Sequence, residues 1–117
     1  MKMKVTIWHN PKCATSRKVL EAIRAAGVTP EIVDYVKTPP SIAAIETALA
    51  AMAMKPRALL RGKGTPYDEL GLDDAALSDA ALIAAMHANP ILIERPVVRT
   101  PKGTRLCRPP ERLQEIL

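Results

Sequence analysis

The chain has 117 residues, the length of one domain and too few for two, so we expect a single domain over residues 1–117. Hydrophobic residues make up 48% and charged residues 25%, a balance that excludes extensive disorder. The net charge of +5 favours anionic partners, but three aromatic residues far apart in sequence are too few for a stacking surface, which argues against nucleic acid.

Several features bear on the cellular compartment. No segment reaches the roughly 18 consecutive apolar residues of a membrane span, and the basic first residues are not followed by the apolar block of a signal peptide. We therefore expect a cytoplasmic protein with no membrane partner. In that compartment Cys13 and Cys107 are expected to be free thiols and not a structural disulfide. The sequence has no closely spaced pair of metal ligands, so no metal is expected.

The N-terminal part of the chain has the pattern of a strand, a helix and a second strand. Residues 1–8 alternate apolar and polar side chains, as a strand with one buried face does. Apolar residues recur at helical spacing over residues 14–26, and Gly27 ends that helix. Residues 31–36 predict the second strand, and the short connections predict that the two strands are parallel.

The middle of the chain, from about residue 41 to residue 89, is predicted to be helical. Ser41 is the expected cap of one helix, and Pro56 begins a short helical turn. A further helix begins at Ser78 or Asp79 and ends before the next proline. This block forms a helical insertion between the two parts of the predicted sheet.

The last third of the chain changes to the pattern of a hairpin. Residues 97–99 and 104–107 are short apolar strands, and the turn between them has Pro in its second position and Gly in its fourth. Pro109-Pro110 then precedes a final helix whose apolar residues cover the sheet. The order of elements predicts an α/β fold with a small mixed four-stranded sheet flanked by helices.

Cys13 is the most informative residue, because it stands between the end of the first strand and the start of the first helix. The N–H groups of residues 14–16 have no partner within the helix, and the helix dipole favours negative charge there. Both effects would lower the thiol pKa from about 8.5 and give a nucleophilic thiolate. Three basic neighbours would act in the same direction: His9, Lys12 and Arg17. The alternative is an inert buried thiol.

Three arginines stand in predicted turns or at strand ends: Arg61, Arg95 and Arg108. A guanidinium group presents several donors in one plane and binds tetrahedral oxyanions well. If the three converge on Cys13, they would hold a multiply charged oxyanion and stabilise its covalent adduct. The alternative is that each is a separate, solvated surface charge.

Four stretches of the sequence carry a resemblance to a known family: residues 8–17, 57–67, 89–98 and 103–111. Their order and separations match the glutaredoxin-coupled arsenate reductases, which the chain resembles almost from end to end. Because it ends at Leu117, without the C-terminal extension of the longer members, the chain is similar to the short form of this family.

The resemblance implies a thioredoxin-like fold and a set of site residues. Cys13 is the implied nucleophile. Three arginines form the implied oxyanion site: Arg61, Arg95 and Arg108. The Arg95-Pro96 bond is implied to be cis, and His9 is implied either to tune the cysteine pKa or to make a structural hydrogen bond. Around the cysteine, the residues implied to contact the substrate are Asn10, Ala14, Thr15, Ser16 and Arg17.

The resemblance also implies a reaction, in which the Cys13 thiolate attacks arsenate, glutathione adds to the arsenic, glutaredoxin removes the glutathione, and arsenite is released. It implies a monomer with no bound cofactor. Two other functions stay open: a general monothiol glutathione-dependent oxidoreductase, and an Spx-type regulator that binds RNA polymerase. Ser16 stands where the second cysteine of a Cys-x-x-Cys motif would be, which disfavours both a dithiol mechanism and the Spx redox switch.

Overall fold

The computed structural model describes residues 3–117, which form two compact units. The first unit contains the chain up to Thr38 together with Arg95–Leu117, and the second is Pro39–Glu94. Met1 and Lys2, which begin the first predicted strand, lie outside the described residues. The whole segment predicted as a helical insertion, 41–89, lies within the second unit.

The first unit is built on a mixed four-stranded sheet, as predicted. Its strands are β1 (Thr6–His9), β2 (Glu31–Asp34), β3 (Val97–Thr100) and β4 (Gly103–Leu106). In the sheet they lie in the order β2-β1-β3-β4. Strand β1 is parallel to β2 and antiparallel to β3, and β3 forms an antiparallel hairpin with β4. The predicted parallel pair and the predicted hairpin are therefore both confirmed.

Helix α1 (Ala14–Ala25) connects β1 to β2 and supplies one side of the core. Its apolar stripe at positions 19, 20 and 23 is buried, as the helical spacing predicted. The helix ends near Gly27, whose φ of 82° is the left-handed conformation that glycine adopts without strain. The core of this unit joins side chains from the helix, the sheet and the C-terminal segment: Val5, Ile7, Val19, Leu20, Ile23, Val98, Cys107, Leu113 and Ile116.

Three elements of the first unit differ from the prediction by more than one residue or in type. The first strand, predicted over residues 1–8, is Thr6–His9, and residues 3–5 precede it outside the strand. The strand predicted over residues 31–36 ends at Asp34, because the Asp34 carbonyl accepts the N–H groups of Lys37 and Thr38 and turns the chain. The final helix, Pro110–Glu115, is a 3-10 helix, whose hydrogen bonds join residues three apart.

The second unit is helical, as predicted. It contains α2 (Ile42–Met52), the single turn α3 (Pro56–Leu59), α4 (Asp79–Ala88) and a 3-10 turn at Pro90–Leu92. The Ser41 hydroxyl accepts the N–H of Ala44 at 3.0 Å, and the Ser78 hydroxyl accepts the N–H of Ala81 at 3.1 Å. Both predicted helix caps are thereby confirmed. No helix within residues 3–117 is long and apolar enough to cross a membrane.

Thr100 ties the hairpin to the C-terminal segment, which gives a prediction about stability. Its buried hydroxyl donates to the Ile116 carbonyl at 2.6 Å and accepts the N–H of Lys102 at 3.0 Å. Thr100→Val should lower the free energy of unfolding by about 1–3 kcal/mol, because the buried Ile116 carbonyl loses its partner. Urea denaturation followed by the fluorescence of Trp8, on β1, measures this change.

Thr38→Val is the matched control, because Thr38 is exposed and its substitution should change the free energy by less than about 0.5 kcal/mol. Equal unfolding midpoints for the Thr100 and Thr38 variants would contradict the prediction.

Candidate active site

Cys13 lies at the N-terminal end of α1, where its extended backbone (φ −96°, ψ 121°) makes it the residue that precedes the first helical turn. Its N–H donates to the Asn10 carbonyl at 3.0 Å, and its own carbonyl accepts the N–H of Arg17 at 3.0 Å. The side chain is partly exposed. The thiol is therefore held at the positive end of the helix and remains accessible, as the sequence predicted.

The pKa of the Cys13 thiol lies below its usual value. Burial by itself raises this pKa, but the N–H groups of Ser16 and Thr15 and the side chains of Arg108 and Arg95 outweigh it. The Arg108 guanidinium donates to the sulfur through Nη1 at 3.8 Å. These groups favour the charged form of the thiol, so Cys13 is a candidate nucleophile near neutral pH.

Arg95 and Arg108 flank the β3-β4 hairpin, one before its first strand and one after its second. The same Nη1 atom of Arg108 that faces the sulfur also donates to the Arg95 carbonyl at 3.1 Å. Arg95 is 7% exposed. The Arg95-Pro96 peptide bond is cis, and so is Arg108-Pro109, which the sequence did not predict. The hairpin thus brings two positive charges to one thiol.

His9 and Ser16 form the interior of the loop that carries Cys13. The His9 Nδ1 and the Ser16 Oγ share a hydrogen bond of 2.6 Å, and the Asn10 N–H donates to the same oxygen at 3.1 Å. Burial lowers the pKa of His9, despite the opposing charge of Asp34. The structural hydrogen bond weighed for His9 is present, whereas its effect on the pKa of Cys13 stays a prediction.

Asn10 and Arg17 also fix this loop through their side chains. The Asn10 Oδ1 accepts the N–H of Lys12 at 3.0 Å, and the Arg17 Nη1 donates to the Pro11 carbonyl at 2.8 Å. Ser16 turns its fully buried hydroxyl inward while its N–H acts on the sulfur of Cys13. A contact with substrate stays a prediction for the five residues named for it: Asn10, Ala14, Thr15, Ser16 and Arg17.

Arg61, the third predicted arginine, belongs to the second unit, where it is paired with Glu94. Its Nη1 lies 3.0 Å from the Glu94 Oε1, and its Nε donates to the Lys63 carbonyl at 3.1 Å. Its part in an anion site stays a prediction. Sequence reasoning missed Glu94, because 33 residues separate it from Arg61 and no motif indicates that the two segments meet.

Cys107 is a fully buried free thiol whose pKa burial raises to about 12. It packs in the apolar core of the first unit, directly after β4. In residues 3–117, no three His, Cys, Asp or Glu side chains are grouped as ligands of a metal ion.

A small mixed sheet of order β2-β1-β3-β4, with a cysteine at the start of the helix that follows β1, is the arrangement of a thioredoxin-like fold with Cys13 as its candidate nucleophile. The model of the ArsC family matches residues 8–116. An arsenate reductase of Rhizobium meliloti (strain 1021) is 53% identical over 115 residues, 98% of this chain and 82% of that protein. The chain belongs to the ArsC family.

Further relatives agree with this assignment. An arsenate reductase of Escherichia coli (strain K12) is 50% identical over 113 residues, 97% of this chain and 80% of that protein. The solved structure of an arsenate reductase from Vibrio cholerae superimposes with a TM-score of 0.95 at 42% identity, over the full length of both chains. The family and the thioredoxin-like fold are thereby confirmed.

The lowered pKa of Cys13 predicts a pH dependence for its chemistry. Only the thiolate reacts with iodoacetamide, so the alkylation rate rises with pH through the thiol pKa. Because Arg108 favours the thiolate, Arg108→Ala should move the midpoint of this rise to higher pH. The rate measured between pH 5 and pH 9, with the modified residue identified by mass spectrometry, tests this shift.

Arg112→Ala is the matched control, because it removes one partly exposed guanidinium, paired with Glu115, from the same unit. An unchanged midpoint in Arg108→Ala, or an equal shift in both variants, would show that Arg108 does not act on the Cys13 sulfur.

Proposed function

We propose that this protein reduces arsenate to arsenite, with glutathione and glutaredoxin as the reductants. The observation that carries the proposal is the Cys13 thiol, whose pKa is lowered by backbone N–H groups and by Arg108 at its sulfur. This arrangement belongs to a chain about half identical to proteins named arsenate reductases, over nearly its whole length. Nucleophile and relatives together favour arsenate over other oxyanions.

The first step is attack of the Cys13 thiolate on arsenic. A sulfur–arsenic bond forms, and one arsenate oxygen leaves as water once it has been protonated. Negative charge on the remaining oxygens is stabilised by Arg95 and Arg108, whose guanidinium groups already act on the sulfur. Arg61 is the third arginine of this proposed site.

The next steps reduce the arsenic. The glutathione thiol forms a second sulfur–arsenic bond, and a second oxygen leaves as water. A glutaredoxin thiolate then attacks the glutathione sulfur, a mixed disulfide forms, and the electron pair of the broken sulfur–arsenic bond reduces As(V) to As(III). Water finally displaces arsenite from Cys13, which returns to the thiolate. Two thiols are oxidised to one disulfide, which balances the two electrons that arsenic gains.

An external reductant follows from the residues around the nucleophile. Ser16 occupies the position of a resolving cysteine, and Cys107 is buried in the core with a pKa of about 12. Neither can release Cys13 as a disulfide. We therefore assign the reducing thiols to glutathione and glutaredoxin, and we place the protein in the cytoplasm, where thiols are kept reduced. The proposed form is a monomer without a bound cofactor.

The proposal predicts that one substitution abolishes turnover and a second strongly reduces it, both without unfolding the protein. Cys13→Ser removes the thiolate, and Arg95→Ala removes one charge that stabilises it, so we expect no detectable turnover for the first. For the second we expect a loss of roughly 100-fold or more, the usual effect of removing one oxyanion-stabilising donor. The assay is arsenate-dependent oxidation of NADPH with glutathione, glutaredoxin and glutathione reductase, with circular dichroism as the check on folding.

Cys107→Ala is the matched control and should keep the activity of the parent protein. Full activity in Cys13→Ser would refute the proposed mechanism. If, with glutathione and glutathione reductase but without glutaredoxin, the parent accelerates NADPH consumption by a small disulfide and shows no activity with arsenate in the full assay, the protein is a general monothiol oxidoreductase and the proposed substrate is wrong.

A further inference from the structure

We propose that Glu94 is a positioning residue that holds the Arg61 guanidinium in the orientation in which it receives the substrate anion. The inference rests on the proposed function, in which Arg61 is one of three oxyanion-binding arginines. A carboxylate is normally unfavourable near a bound anion because the two negative charges repel, so the presence of Glu94 beside Arg61 calls for a role.

The backbone around the two residues is fixed first. Leu60 and Ile93 form an isolated antiparallel bridge. On one side of it the Arg61 N–H donates to the Leu92 carbonyl at 2.7 Å, and on the other the Glu94 N–H donates to the Leu59 carbonyl at 2.8 Å. The two side chains therefore start from a rigid, paired backbone.

The side chains are then fixed to each other. The Arg61 Nη1 lies 3.0 Å from the Glu94 Oε1, and both side chains are largely buried, at 19% and 22% exposure. The Arg61 Nε donates to the Lys63 carbonyl at 3.1 Å, which fixes the plane of the guanidinium from a second direction. Burial makes this pair stronger than a solvated surface pair.

The arrangement leaves donors for a ligand. A guanidinium has five N–H donors, and these two contacts use one on Nη1 and the one on Nε. Both donors on Nη2 and the second on Nη1 remain, which is the planar pair that binds an oxyanion in a bidentate manner. Because the side chain is already ordered, binding does not have to immobilise it.

A double-mutant cycle in the coupled arsenate assay tests the role of Glu94. Glu94→Ala should raise the KM for arsenate about tenfold with a smaller change in kcat, because Arg61 must then be ordered on binding. Glu94→Gln keeps an oxygen acceptor for Nη1 and should stay within about threefold of the parent KM. In an Arg61→Ala background, Glu94→Ala should raise the KM much less than it does in the parent, because the effect of Glu94 on arsenate binding acts through Arg61.

Glu46→Ala is the matched control, because it removes an exposed carboxylate from the same unit, and its KM should equal that of the parent. If Arg61→Ala raises the KM but Glu94→Ala leaves it unchanged, the role proposed for Glu94 is wrong, whereas the proposed function is unaffected. A lower KM in both Glu94 variants would also refute that role, since the carboxylate would then only repel the anion. A parent protein without arsenate-dependent activity would overturn the proposed function and this inference with it.

Discussion

The ionisation of the Cys13 thiol at the N-terminal end of α1 depends on hydrogen-bond donors and charges that the fold places around the sulfur. A thiol at that point is partly desolvated, which disfavours the thiolate, and it is ionised only because several donors are aimed at the sulfur. Two of those donors are backbone N–H groups that any helix start would supply. The others come from residues more than 80 positions away, so only the folded chain supplies all the groups that lower the pKa of Cys13.

The hairpin is the element that closes this distance. Arg95 lies just before β3 and Arg108 just after β4, so the pairing of the two strands sets the distance between the two arginines. The sheet then places β3 directly beside β1, the strand that leads into the cysteine loop. A shift of one residue in the β3-β4 register would separate the arginines from each other and from the sulfur. A change that destabilises the hairpin is consequently expected to raise the pKa of the Cys13 thiol as well.

The sequence predicted local structure better than it predicted contacts. Ser41, Ser78 and Gly27 have short-range chemistry that caps or ends a helix whatever surrounds them, and the structure places each of them accordingly. The strand that was expected to continue to residue 36 ends at Asp34, because one side chain and one carbonyl favour a turn over continued pairing. The alternation of apolar and polar residues does not show which of these two hydrogen-bonding patterns is favoured, so it could not predict where the strand ends.

The candidate site shows the same division. The position of Cys13 before a helix could be read from the pattern around it, but the contact of Arg108 with its sulfur joins residues 95 positions apart. The position of Arg108 after a predicted strand made it a candidate, but nothing local distinguishes it from a solvated arginine, so its contact with the sulfur could not be read from the sequence. The Arg61–Glu94 pair was not predicted because it depends on a backbone bridge between two irregular segments.

The buried hydroxyl of Ser16 also constrains how this scaffold could change. A cysteine at that position would supply a second thiol able to form an internal disulfide with Cys13, but sulfur is a weak donor and a weak acceptor. The ring nitrogen of His9 and the N–H of Asn10 would then both lose their partner inside the loop, at a cost of about 1–3 kcal/mol for each group. The hydrogen bonds of Ser16 therefore oppose an internal resolving thiol, so the reducing thiols of the proposed reaction come from other molecules and act directly on the Cys13 adduct.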